Sequence, residues 1–287
     1  MTTGDDRAEG AIPARPAVAD VPGSRSWRRA FGDLKQGWQQ RPLWGYLGWQ
    51  DIKQRYRRSV LGPLWVSISM GVIATAMGIL YGTLFGEPIQ TFLPYVATGL
   101  LIWNFINGCI LEGSEVFIAN EGLIRFLPAP LSLHIYRLLW RQPLFFLHNL
   151  VVWAALMVIF PHPLGWSLLL ALPAFALLVV NGAWISVLAG IVATRFRDIP
   201  PIIASLTQLL FFVTPIVWSY ERLKSNPLSG YVELNPVMHF VEILRQPLLG
   251  QPIVGRHWAV VGVITVVGSA VALVCMRNYR ARVAYWV

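Results

Sequence analysis

Glu112 and Glu115 lie three residues apart at one end of a long apolar stretch, a spacing that puts both carboxylates on one face of a helix. Two carboxylates so placed could relay protons. They could also form a cap that meets arginines at headgroup depth, and their position near the end of the stretch favours the cap. Little else suggests catalysis. The sequence holds no G-x-x-x-x-G-K-[ST] phosphate loop, no H-E-x-x-H helix, no Cys/His cluster and no Asp-x-Asp pair for a metal and a sugar nucleotide. The two cysteines, Cys109 and Cys275, sit in apolar segments and are expected to be small buried hydrophobes. The expectation is a chain with no catalytic residue, no metal site and no cofactor of its own.

Other residues suit contact rather than catalysis. Aromatic faces pack against sugar C–H edges. Trp65, Tyr81, Phe211, Phe212 and Trp218 are therefore candidates for lining a path for sugars, although any one of them could instead face lipid or core. Ala74, Gly78, Gly82 and Gly86 recur every four residues and would let two helices approach closely, either between two copies or within one. The loop NEGLIRFLPAPLSL, 120–133, carries Leu123, Ile124, Phe126 and Leu127 beside Pro128 and Pro130. An apolar patch exposed there suits docking of another protein.

The elements that hold these residues follow from composition. Of 287 residues, 55% are hydrophobic and 13% charged, about half the charge of a soluble domain. No Lys or Arg occurs between Arg58 and Arg125, and no ionisable Asp, Glu, Lys or Arg between Arg141 and Arg195. Each gap exceeds the roughly 20 residues needed to cross a bilayer. The spacing predicts an all-α membrane protein with six spans near 60–84, 92–116, 138–160, 164–194, 200–220 and 258–276. Residues 1–34, rich in Pro, Ala, Gly, Asp and Arg, are expected to be a disordered tail. The first apolar run begins too far from Met1 for a cleaved signal. Residues 41–58 predict an amphipathic helix in the membrane interface, with Trp49 and Tyr56 facing lipid and Arg55, Arg57 and Arg58 at the headgroups. Asn235 and Pro236 predict the start of a short helix with Phe240 on its apolar stripe, closed by Gly250.

The net charge of +9 does not argue for nucleic acid, because the basic residues flank apolar runs. Nineteen of the 23 fall in the terminal and alternate segments on one side, and four (Arg222, Lys224, Arg245 and Arg256) in one long segment on the other. The positive-inside rule then puts both termini in the cytoplasm of a multi-pass protein of the cytoplasmic membrane.

The segments DIKQRYRRSVLGPLW (51–65), NEGLIRFLPAPL (120–131), RFRDIPPII (195–203), TPIVWS (214–219) and LNPVMHFVEILRQPLL (234–249) occur in the order and span context of one family. Over residues 35–287 the chain resembles the membrane subunit of ABC-2 type polysaccharide exporters, and within them the actinobacterial galactan exporters. The resemblance implies a homodimeric channel for a lipid-linked polysaccharide, with a separate ATPase subunit that holds ATP and Mg. It implies that Asn120, Glu121, Leu123, Arg125, Phe126 and Pro128 form the ATPase-coupling loop, with the 41–58 helix beside it. The first and fifth spans would line the channel, and Asn235, Pro236 and Phe240 would belong to outer gate helices that re-enter between the fifth and sixth spans. Rival functions are a drug or small-lipid exporter of the same superfamily, a membrane glycosyltransferase or acyltransferase, and a secondary transporter with inverted repeats.

Overall fold

The computed structural model describes residues 25–57, 62, 64–126, 129–224, 226–227 and 229–287. Among these residues every regular element is a helix. Two helices precede the spans: α1 (Trp27–Gln39) and α2 (Arg41–Tyr56). Then come α3 (Leu64–Phe85), α4 (Ile89–Glu115), the six-residue α5 (Glu121–Phe126), α6 (Ser132–Ile159), α7 (Ala171–Arg195) and α8 (Ile199–Val213). Short α9 (Ser229–Glu233) and α10 (Pro236–Leu248) follow, and α11 (Gly255–Trp286) closes the described chain.

Five of these helices are long and apolar enough to cross a bilayer: α3, α4, α6, the Trp166–Arg195 segment that contains α7, and α11. In lipid a helix satisfies its own backbone, which explains why apolar runs this long fold as helices rather than strands. The spans form a bundle around α4, whose apolar window is 67% buried against 17–39% for the others. Helices α3, α6, α7, α8 and α10 all pack on it. One end of the bundle, the basic end, gathers α1, α2, α5, the start of α6 and the last turns of α11. The other, the cap end, gathers residues 214–224, α9, α10 and the start of α11. Each half has its own buried cluster, around Leu101, Ile102, Val241 and Leu244 at the cap end and around Phe117, Leu131, Ile135 and Met276 at the basic end.

Several expectations need correction. The tail is helical from Trp27 onwards, because Trp27, Phe31 and Trp38 alternate with polar residues at helical spacing and Asp33 finds partners on α6. In place of the expected fifth span, 200–220, stands the 15-residue α8, which ends at Val213 because Pro215 follows. Fifteen residues reach about 22 Å, short of a hydrocarbon layer of about 30 Å. The sixth span runs ten residues past its expected end at 276. Gly86 is not part of a packing stripe. It has φ of +65° and no neighbour near its Cβ position, and it ends α3 in the left-handed conformation that favours glycine. Ala74, Gly78 and Gly82 do form a stripe, and it packs within one chain, with Leu93 against Gly78 and Phe92 against Gly82. A tighter seam of the same kind joins α4 to α7, where Gly182, Ser186 and Gly190 recur every four residues against Cys109, Gly113 and Phe117. There the Ser186 hydroxyl donates to the carbonyls of Gly182 and Cys109 at 2.6 and 3.0 Å.

Candidate functional site

At the basic end, three arginines organise the space between α2, α4 and α6. Arg137, one turn into α6, donates through Nε to Asp51 Oδ2 of α2 at 2.7 Å and forms a second bond through Nη2 to Oδ1. Its remaining nitrogen donates to Asn120 Oδ1 at 3.1 Å. One turn further, Arg141 reaches Asp51 at 2.7 Å and Glu112 of α4 at 2.5 Å, and Arg55 of α2 touches Glu112 at 3.4 Å. The i, i+4 spacing of Arg137 and Arg141 is what lets one carboxylate serve both. Glu112 is thus the arginine-contacting cap that its spacing suggested, while Glu115 lies exposed on the wall of the same cleft of about 500 Å³.

The coupling candidates converge here. Asn120 also donates to the Val116 carbonyl at 2.7 Å, so it joins the end of α4 to α6. Glu121 and Arg125 pair one turn apart at 2.9 Å, and Arg125 donates to the Val287 carbonyl oxygen at the end of α11. Leu123 is partly exposed, and Phe126 is 84% exposed at the tip of α5. Pro128 lies outside the described residues, as does Arg58 of the interfacial helix.

Helix α2 lies on α6 through the Gly48 and Ile52 side. A Cβ on Gly48 would sit 3.0 Å from the Trp140 ring. Trp44 packs on Tyr136 and Trp140 with ring centres 6.1 and 5.9 Å apart, so part of the aromatic surface expected to face lipid is used inside the protein. Trp49 and Tyr46 remain exposed, with Lys53 over the Trp49 ring at 6.0 Å, and Arg57 is exposed. Tyr56 is half-buried at the end of the helix, and burial pushes its hydroxyl pKa up.

The cap end is built around a residue that the sequence did not single out. Arg245 on α10 is 0% exposed. Its Nη1 donates to the Pro215 carbonyl at 2.7 Å and to Glu242 Oε1 at 2.9 Å, and Nη2 donates to the Ile216 carbonyl at 3.4 Å. The guanidinium lies 4.0 Å from the Tyr95 ring centre, and Tyr95 donates its hydroxyl to the carbonyls of Pro215 and Trp218. These acceptors belong to the stretch where α8 has stopped and no helical donor remains for them. A non-helical backbone at this depth is tolerated only where protein satisfies it, and Arg245 and Tyr95 do so. Gly99 on α4 provides the room, since a Cβ there would collide with Arg245 Nη2. Asn235 caps α10 through the Val237 amide at 3.0 Å and fixes Thr214 at 2.8 Å, and Pro236 stands at its first position. Phe240 is half-buried against the apolar core.

The aromatic candidates are brought together only in part: Phe211, Phe212 and Trp218 adjoin, with the Phe211 and Phe212 rings 5.4 Å apart, while Trp65 and Tyr81 lie elsewhere on α3. Trp65 and Phe212 are exposed on α3 and α8, near opposite ends of the bundle. Phe211 packs on Trp103 at 5.7 Å, Tyr81 stacks on Phe85 at 5.7 Å, and Trp218 donates to the Phe212 carbonyl at 3.1 Å. The signal for Arg245 was present as a Glu three residues before an Arg inside an apolar helix, a spacing that allows an ion pair.

Residues 42–249 match the family model described as ABC-2 type transporter. Among curated proteins the chain is similar to an O-antigen export system permease protein RfbA of Klebsiella pneumoniae, 22% identical over 227 residues, covering 77% of this chain and 87% of that protein. It is also similar to the protein of the same name from Myxococcus xanthus, 27% identical over 218 residues, covering 71% and 79%. The matched region runs from α2 through α10 and includes both the arginine cluster at the basic end and the Arg245 cap. The chain belongs to the ABC-2 type transporter family.

Proposed function

We propose that the chain is the transmembrane subunit of an ATP-driven exporter that moves a lipid-linked polysaccharide, of the O-antigen or cell-wall galactan kind, across the cytoplasmic membrane. The basic end faces the cytoplasm with both termini, two copies enclose the path, and each seats one separate ATPase subunit that binds ATP and Mg. The observation that carries this reading is the connection at the basic end. Phe126 stands free at the tip of α5, while Arg137 ties Asn120, at the start of the same loop, to Asp51 of α2. A partner that pushes on α5 therefore acts on α2, α4 and α6 together. Only a ligand with different affinity for two states can shift them, and ATP on the partner supplies that difference. The cargo class is supported by the export role in the relatives' names.

The uncovered side of α8 supports a polar path. Only Thr207 of this helix is buried, and Ser205, Gln208 and Phe212 lie exposed on one face. A glutamine amide at membrane depth faces a bundle interior or a water-filled path rather than lipid. A second copy against α3 and α8 provides one.

Phe126→Asp places a charge where the ATPase would cover a ring. The expected outcome is polymer retained inside cells that depend on the variant, with membrane insertion unchanged. Export at the wild-type level would remove the coupling assignment. In cells depleted of the chain, loss of drug or small-lipid efflux without polymer accumulation would instead indicate a small cargo.

A further inference from the structure

Behind the Arg245 cap lies a polar cavity of about 580 Å³, between α9, α10, the start of α11 and the segment after α8. Its size falls in the range of small-ligand sites, about 300–1,000 Å³. Every charged side chain on its wall is already paired: Glu221 with Lys224 at 2.5 Å, Glu233 with Arg256 at 2.6 Å, and Glu242 with Arg245 at 2.9 Å. A charged ligand would have to compete with one of these pairs, which disfavours phosphate, metal ions and acidic polymers.

The neutral hydrogen-bonding groups on the wall are in the opposite state. Gln246 is 5% exposed and uses its amide oxygen on the Val254 N–H at 3.0 Å, while its amide nitrogen has no partner among the described residues. Gln251 and Ser219 also have no side-chain partner there, and one oxygen of Glu242 is likewise unused. His239 and His257 add a defined acceptor. Nε2 of His239 faces the Glu233 carbonyl at 2.9 Å, and a carbonyl only accepts, so this nitrogen carries the proton. In the neutral pair Nδ1 of His239 therefore accepts from Nδ1–H of His257 at 2.7 Å, which leaves Nε2 of the 9% exposed His257 as a free acceptor. The wall thus offers amide donors beside carboxylate, imidazole and hydroxyl acceptors, with each wall charge balanced by a paired partner. Adjacent hydroxyls of a sugar present the matching alternation of donor and acceptor, and half-buried Tyr220 adds a ring for its C–H face.

We infer that this cavity is a subsite for a neutral sugar unit on the outer side of the membrane, an inference that rests on the polysaccharide export reading. The test uses the full chain in lipid nanodiscs, titrated with neutral tetrasaccharides of galactose, mannose and glucose. Tetragalacturonate and inorganic phosphate serve as charged comparisons, and binding is read by saturation-transfer NMR and calorimetry. At least one neutral tetrasaccharide is expected to bind, with Gln251→Ala and Ser219→Ala each weakening it about tenfold, the effect of one lost hydrogen bond. Both positions are half-buried, so neither variant threatens the fold. Absence of neutral binding, wild-type affinity in both variants, or tighter binding of tetragalacturonate or phosphate would overturn the subsite. Polymer accumulation on depletion together with absent binding would leave export standing and remove only the cavity's role. Binding without accumulation would keep a sugar site and remove export.

Discussion

Arg245 is the side chain on which most of the cap end depends. It satisfies two carbonyls that lipid would leave bare and neutralises Glu242, whose side chain is 11% exposed. Removing one partner of such a buried pair costs about 3–5 kcal/mol, because the other charge is left unpaired. Arg245→Met is therefore expected to lower the melting temperature in detergent sharply, and Glu242→Gln with Arg245→Met to recover part of the loss. Arg245→Lys should not rescue, since a single ammonium cannot hold the Pro215, Ile216 and Glu242 oxygens with the planar geometry of a guanidinium. Equal stability of the wild type and Arg245→Met would show that the carbonyls find other donors. Glu233 gives a weaker, pH-dependent tether. Hydrogen bonds from Tyr220 and Arg256 hold its carboxyl below the usual carboxylate range, and the same bond from Tyr220 to Glu233 pushes the Tyr220 hydroxyl up to about 12. A depressed carboxylate stabilises above the ordinary carboxylate range, and that contribution is lost as pH falls through the depressed value. The melting-temperature gap between the wild type and Glu233→Gln is expected to be small at neutral pH and to close on acidification.

At the scale of elements, α1 acts through Asp33. Its carboxylate accepts the Leu131 and Ser132 amides at 3.2 and 3.0 Å, its carbonyl accepts the Ser132 hydroxyl at 2.7 Å, and Arg280 of α11 approaches at 3.4 Å. An anion at the start of α6 meets both the free N–H groups and the positive end of the helix dipole. Asp33→Ala is expected to cost about 1–2 kcal/mol. Amide exchange should rise over α1 and the first turn of α6 while the cap end stays protected. The glycines divide just as sharply. Gly113→Ala would drive a methyl into Ser186 and overpack the α4–α7 seam, at a cost of about 1–3 kcal/mol, whereas Gly262→Ala on α11 meets nothing and should be neutral or stabilising by up to about 1 kcal/mol. Comparable melting temperatures for the two variants would contradict the seam.

Much of this was legible in the sequence, and the exceptions have physical causes. The charge-free runs located the five long spans, because a membrane demands uninterrupted apolar helix. Asn235, Pro236 and Gly250 marked α10 correctly, since caps are local. The stop of α8 was missed because 200–220 carries no charged residue, and hydropathy does not register the break that Pro215 imposes. The helix in the tail was missed because the Pro, Ala and Gly before Trp27 masked the helical spacing that begins there, and because Asp33 finds its partner in Ser132, about a hundred residues away. The stripe in α3 was visible, but whether it met another copy or α4 was a question of tertiary packing.

For the whole molecule, a single copy leaves α3 and α8 largely uncovered. In the proposed dimer these faces meet across the path. With Cys275→Ser removing the half-buried thiol and Cys109 buried, Leu206→Cys on α8 is expected to form an oxidised dimer in native membranes, while Val266→Cys on α11 should remain monomeric on non-reducing gels. Crosslinking through Val266→Cys alone would move the seam to α11.

Helix α11 links the two ends of the molecule. Its 32 residues make a rod of about 48 Å, about 18 Å longer than the hydrocarbon layer. At one tip His257 borders the polar cavity, and at the other the Val287 carbonyl takes a hydrogen bond from Arg125 of α5. A rod of that length that pivots by about 5° carries its far tip through about 4 Å, more than a hydrogen bond spans. A pivot of α11 set off at α5 would thus reach the opposite surface, where the imidazole pair sits.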